Sequence, residues 1–168
     1  YPPMTSVIHA VLYAQGFSRI MVVYGLFYSI FILLMYQIIR KLKIGYPLKI
    51  TLLFISAFHP LIFEQTKIAY TNLPALTFQI SALYYLLKYS EKENLVELIL
   101  SALMLTFANW TRVLEPLFIG YLLAAIYLIL KTKLTVIKKT TYALIYSFLS
   151  FASWIVWQIY ISSTIGNI

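Results

Sequence analysis

Residues 20–39 read IMVVYGLFYSIFILLMYQII, with no charged side chain between Arg19 and Arg40. A helix rises about 1.5 Å per residue, so about 20 apolar residues cross the hydrocarbon core of a bilayer. This stretch therefore predicts a transmembrane helix. Outward from it, the same rule marks spans at 48–63, 73–87, 95–108, 113–130 and 142–161, six with the first. The segments 48–63 and 95–108 are short and need interfacial residues to complete a crossing. Ahead of them, the apolar segment 4–17 is only 14 residues long, carries His9 and Gln15, and is closed by Gly16. Pro2 and Pro3 fix an extended entry to it. That length suits a helix lying in the interface. The expected fold is all-α: a polytopic integral membrane helical bundle of about six transmembrane helices plus one short interfacial helix, occupying 1–168 as a single transmembrane domain.

Composition points the same way. The chain is 62% hydrophobic and 17% aromatic, only 11% charged, with a mean hydropathy of +0.86, too apolar for the surface of a soluble domain. The net charge of +8 is not a nucleic-acid footprint, because the cations fall in short gaps between apolar runs and do not cluster on one soluble face. With no cysteine, disulfides, thiolate metal sites and a cysteine nucleophile are excluded; aspartate is absent too. No cleavable signal peptide, internal repeat or low-complexity tract is legible. The chain opens at Tyr1 without an initiator methionine, and the expectation is a piece of a longer protein.

Orientation follows from the gaps. One alternating set holds Arg40, Lys41, Lys43, Lys49, Lys88, Lys92, Lys131, Lys133, Lys138 and Lys139; the opposite set holds only Arg19, Lys67 and Arg112. Ten against three places the first set in the cytoplasm and both chain ends outside. Trp110, Trp154, Trp157, Tyr1, Tyr70 and Tyr160 fall toward the outer ends, where amphipathic rings favour the headgroups.

On that outer side FANWTRVLEP, residues 107–116, predicts a tight turn, and FEQTKIAYTNLP, residues 63–74, is the other polar stretch. Glu64, Lys67, Tyr70, Asn72, Arg112 and Glu115 meet there on this reading, with Tyr1 and the prolines of YPPMTS. Two readings stand side by side. Lys67 with Glu64 and Arg112 with Glu115 have the spacing of local helical ion pairs, and long cations near span ends snorkel to headgroups. Alternatively, cations on the cation-poor side mark an anionic partner.

The order YPP, a short apolar helix closed by glycine, two spans joined by RKLKIG, FHP in the third span, YTNLPAL opening the next and TR before another resembles the GT-C membrane glycosyltransferases. The branch is that of the protein O-mannosyltransferases and aminoarabinose transferases, and the likeness runs from Tyr1 to about Ile161. The resemblance implies an inverting transferase that takes a sugar from a polyprenyl-phosphate carrier at the outer face and passes it to a protein, lipid or glycan acceptor. The family's general base is an acidic residue in the first outward loop, which lies upstream of Tyr1 on this alignment of motifs. Such chemistry needs a carboxylate for the acceptor proton and cations for the leaving phosphate. Arg112, with Lys67, is the implied phosphate-binding pair, and Tyr1, Glu64, Tyr70, Asn72, Trp110 and Glu115 are its implied support. Family members often carry Asp where this chain has Asn72, two residues before Pro74, which puts any carboxylate or metal role there in doubt.

No cofactor is required by these residues. His9 and His59 stand alone among apolar neighbours, and a divalent metal would need Glu64 or Glu115 beside one of them. Five scattered glycines form no phosphate loop for a nucleotide-sugar donor. Glu91, Glu93 and Glu97 read as a solvated cytoplasmic loop and helix start, and the sequon at Asn109 lies too close to the membrane to accept a glycan. Two other functions remain open: a transporter or flippase of lipid-linked sugars, for which Gln79, Tyr84 and Pro60 speak, and a noncatalytic membrane scaffold.

Overall fold

The computed structural model describes residues 4–16, 21–66, 71–112 and 115–165, and among them every regular element is an α-helix. In chain order these are α1 Met4–Ala14, α2 Met21–Lys41, α3 Tyr46–Phe58, α4 Pro60–Glu64, α5 Asn72–Lys92, α6 Leu95–Thr111, α7 Glu115–Lys131 and α8 Val136–Ile165. The protein is thus all-α. Two helical segments, Met21–Lys41 and Tyr46–Glu64, are long and apolar enough to cross a membrane, and Leu95–Thr111 and Phe118–Lys131 are apolar but shorter.

Local chemistry explains where the helices stop. Gly16 closes α1 at φ 80°, a left-handed conformation that glycine adopts without a Cβ penalty. The expected span 48–63 is two helices. Pro60 pushes His59 into extended backbone, φ −61° and ψ 119°, so α3 ends at Phe58 and the His59 carbonyl starts α4 by accepting from Ile62 and Phe63 N–H, both at 3.0 Å. Glu93 ends α5 in the left-handed region, with its N–H on the Tyr89 carbonyl at 2.8 Å. Asn94 then caps α6 by accepting from Val96 N–H at 3.1 Å. The expected turn at FANWT is instead the last part of α6, which runs to Thr111.

Helix α5 is the centre of the bundle. It packs most extensively on α6, which packs in turn on α8, and α2 lies against its other side; α7 joins α8 and α5, α3 lies on α2, and α1 touches α6. These contacts bury large apolar side chains, among them Leu86 and Tyr89 on α5, Leu98 and Leu105 on α6, Ile129 on α7 and Tyr146 on α8, together with small or polar ones: Ala75, Thr77, Ser81 and Ala82 on α5, and Ser101, Ala102, Thr106 and Ala108 on α6. Small residues let backbones approach closely, and hydroxyls then reach the carbonyls of neighbouring helices. Thr77 donates to Phe27 at 3.2 Å, Ser101 to Ala82 at 2.8 Å, Thr106 to Leu149 at 2.7 Å and Tyr121 to Gln79 at 2.8 Å. Tyr28 donates likewise to the Ala57 carbonyl, joining α2 to α3. Other large apolar side chains face outward. Leu33, Phe54, Leu61, Leu123, Leu144 and Phe148 are each about 60% exposed or more, and α3 buries no residue at all.

Candidate functional site

Arg112 follows the last residue of α6. Thr111 is buried and donates to the Phe107 carbonyl at 2.7 Å, and the Arg112 N–H reaches the Ala108 carbonyl at 2.9 Å before the backbone turns extended. The guanidinium Nη1 donates to Asn72 Oδ1. Asn72 is the first residue of α5, and its Nδ2 donates in turn to Gln65 Oε1 at 3.2 Å, just past α4. One polar chain, Arg112 to Asn72 to Gln65, joins the end of α6 to the start of α5, forty residues earlier, and to the end of α4.

That chain borders an open cleft of about 410 Å³, lined by Leu61, Ile62, Gln65, Asn72, Leu73, Ala75, Leu76, Gln79 and Arg112. Its size is that of a small-molecule site, and its walls combine apolar side chains with a few convergent polar ones. Arg112 is the one charged side chain among these lining residues, so the cleft suits an anion with an apolar portion. Guanidinium carries five donors and Asn72 accepts from one nitrogen, so further donors remain for a ligand. Because Asn72 is neutral, it orients the fork without cancelling its charge.

The structure thus brings Arg112 and Asn72 together. Glu64 is exposed at the end of α4 and Trp110 is half-buried in the last turn of α6, and neither is among the residues lining the cleft. Lys67, Tyr70 and Tyr1 lie outside the described residues, as does the side chain of Glu115; so do the two local ion pairs that spacing suggests. Gln65 was not singled out by the sequence, and Gln79 entered only as a sign of transport. The available signal was spacing. Gln79 follows Asn72 by seven residues, two helical turns, which puts both on one face of α5.

The lysine-rich end is built differently. Lys41 pairs with Glu91 at 2.7 Å, linking α2 to α5, and Lys88 lies 3.8 Å from Glu97 and 5.0 Å from the Tyr84 ring centre. A hydrogen bond with Tyr84 raises the Lys88 pKa above its ordinary value, helped by the charges of Tyr84 and Glu97. Glu91 is ion-paired yet 51% exposed, and Glu97 sits at the expected helix start, in the first turn of α6, but it is paired and only 12% exposed, which corrects its reading as solvated. His9 is not alone either, since its Nε2 lies 3.1 Å from the Tyr24 hydroxyl. Among the described residues no group of three or more metal-binding side chains occurs. Comparison with protein-family models, curated proteins and solved structures finds no match.

Proposed function

We propose that the chain is the membrane domain of a GT-C-type glycosyltransferase that binds a polyprenyl-phosphate sugar at the Arg112 end. The carrying observation is the Arg112, Asn72 and Gln65 chain beside a cleft whose walls are otherwise mostly apolar. A membrane location is supported by the many large apolar side chains that face outward, such as Leu33, Phe54, Leu61, Leu123 and Phe148, with alanine, serine and threonine among the residues buried between helices. Water drives large apolar side chains inward, whereas lipid removes that drive and leaves close backbone packing to hold helices together. The ten-to-three cation asymmetry supports an outward-facing Arg112 end.

In this reaction the acceptor oxygen attacks the anomeric carbon, its proton passes to a general-base carboxylate, and the bond to the carrier phosphate breaks. The departing phosphate gains negative charge. A guanidinium held in place by a neutral amide stabilises that charge more in the transition state than in the donor. Arg112→Ala in the full-length enzyme is expected to lower transfer from a lipid-linked sugar in proteoliposomes by about 100-fold, the loss typical of one preorganised donor. Near-normal turnover by the folded variant would reduce Arg112 to a snorkelling interfacial cation.

A flippase of lipid-linked sugars is the second reading, favoured by Gln79 in the cleft and by the break at His59 between α3 and α4. Proteoliposomes that move a lipid-linked sugar between leaflets with no acceptor glycosylation would select it.

A further inference from the structure

Three basic turns lie between helices: 40–49 with four cations, 88–97 with two lysines against three glutamates, and 131–139 with four lysines and no acid. In the turn 40–49, Lys41 is neutralised from another element by Glu91. The turn 131–139 is different, because no carboxylate among the described residues reaches any of its lysines. Two of them brace the turn: Lys139 donates to the Leu130 carbonyl at 2.7 Å, and Lys131 lies 4.6 Å from the Tyr127 ring centre. Thr132, buried, closes α7 by donating to Ile129 at 2.7 Å. Lys133 and Lys138 are exposed, and among the described residues neither forms an ion pair or hydrogen bond. Between them stand Val136 and Ile137, each 79% exposed, the largest exposures among the exposed apolar side chains of the described residues.

We infer that this turn is a docking surface for an anionic phospholipid leaflet: Val136 and Ile137 enter the acyl boundary while Lys133 and Lys138 contact the lipid phosphates. A lysine run alone describes any solvated turn, and two exposed β-branched side chains alone describe any lipid-facing helix start. An exposed apolar pair flanked by lysines on a braced turn free of acids fits a surface that is apolar below and anionic above. The inference rests on the membrane reading and is independent of sugar transfer. It predicts that anionic lipid is enriched at this turn and not at the turn 88–97, where three glutamates outnumber two lysines.

The test uses the cysteine-free protein with Thr135→Cys, labelled with a fluorophore and placed in phosphatidylcholine nanodiscs. Brominated phosphatidylglycerol is expected to quench the label more strongly than brominated phosphatidylcholine at equal content. Lys133→Gln and Lys138→Gln should each weaken that preference about fivefold, the effect of one basic residue at an anionic surface. Lys92→Gln should leave it unchanged. Equal quenching by the two lipids, or a preference that survives the double substitution, overturns the inference while leaving the membrane reading standing. Failure of the folded protein to enter nanodiscs at all would sink both.

Discussion

The two ends of the bundle use cations in opposite ways. At the lysine-rich end of α5, Lys41 and Lys88 are matched by Glu91 and Glu97, so the charges tie helices together and largely cancel. At the other end of the same helix, Arg112 is held by the neutral amide of Asn72, itself held by Gln65, beside an open cleft. A cation balanced by a carboxylate has little left for a ligand, whereas one oriented by an amide keeps its full charge. Partner choice, more than the number of cations, separates the structural latch from the candidate site.

The strongest way to break this contrast is to change the fork while keeping its charge. Arg112→Lys should recover only part of the roughly 100-fold loss expected for Arg112→Ala, because lysine lacks the planar pair of donors. Full recovery in the same transfer assay would show that charge alone matters there. Between the two ends, Ala102 is fully buried where α6 meets its neighbours. Ala102→Leu should destabilise the protein by about 1–3 kcal/mol, seen as a lower thermal midpoint in detergent, since added methylenes force tightly packed backbones apart. An unchanged midpoint would remove the small-residue interface from the account. Thr106→Val deletes the hydroxyl that reaches the Leu149 carbonyl on α8 and should cost about 0.6 kcal/mol, the mean for such bonds between membrane helices. Smallest is the latch itself. Glu91→Gln should cost less than about 1 kcal/mol, because the Lys41 and Glu91 side chains are 30% and 51% exposed and solvent screens them. A larger loss, or one insensitive to salt in the same melting assay, would mean that the lysine-rich end is more than a screened surface pair.

Much of the helix plan was legible in one dimension. Long apolar runs bounded by arginine and lysine mark helices α2 and α5 to α8, and Gly16 and Pro60 mark a stop and a break, because a positive φ and a missing N–H are local properties. Half of the candidate site was legible as well, since Arg112 and Asn72 stand out as polar residues on the cation-poor side. The other half was not. Glu64 and Trp110 are near Gln65 and Arg112 in sequence, but neither lines the cleft, because position along a chain does not fix which way a helical side chain points.

The sequence by itself determined that these segments are helical and apolar, where they break, and on which gaps the cations fall, all consequences of local sterics and solvation. Only the tertiary structure decided that Asn72, forty residues before Arg112, is the group that orients it, and that Gln65 and Gln79 share its cleft. It also decided that Glu91 is spent on Lys41, fifty residues away, while Lys133 and Lys138 meet no carboxylate among the described residues. Those outcomes depend on which helix ends are neighbours. Neighbours are set by how small residues on α5 and α6 let the backbones pack, and no single segment carries that information.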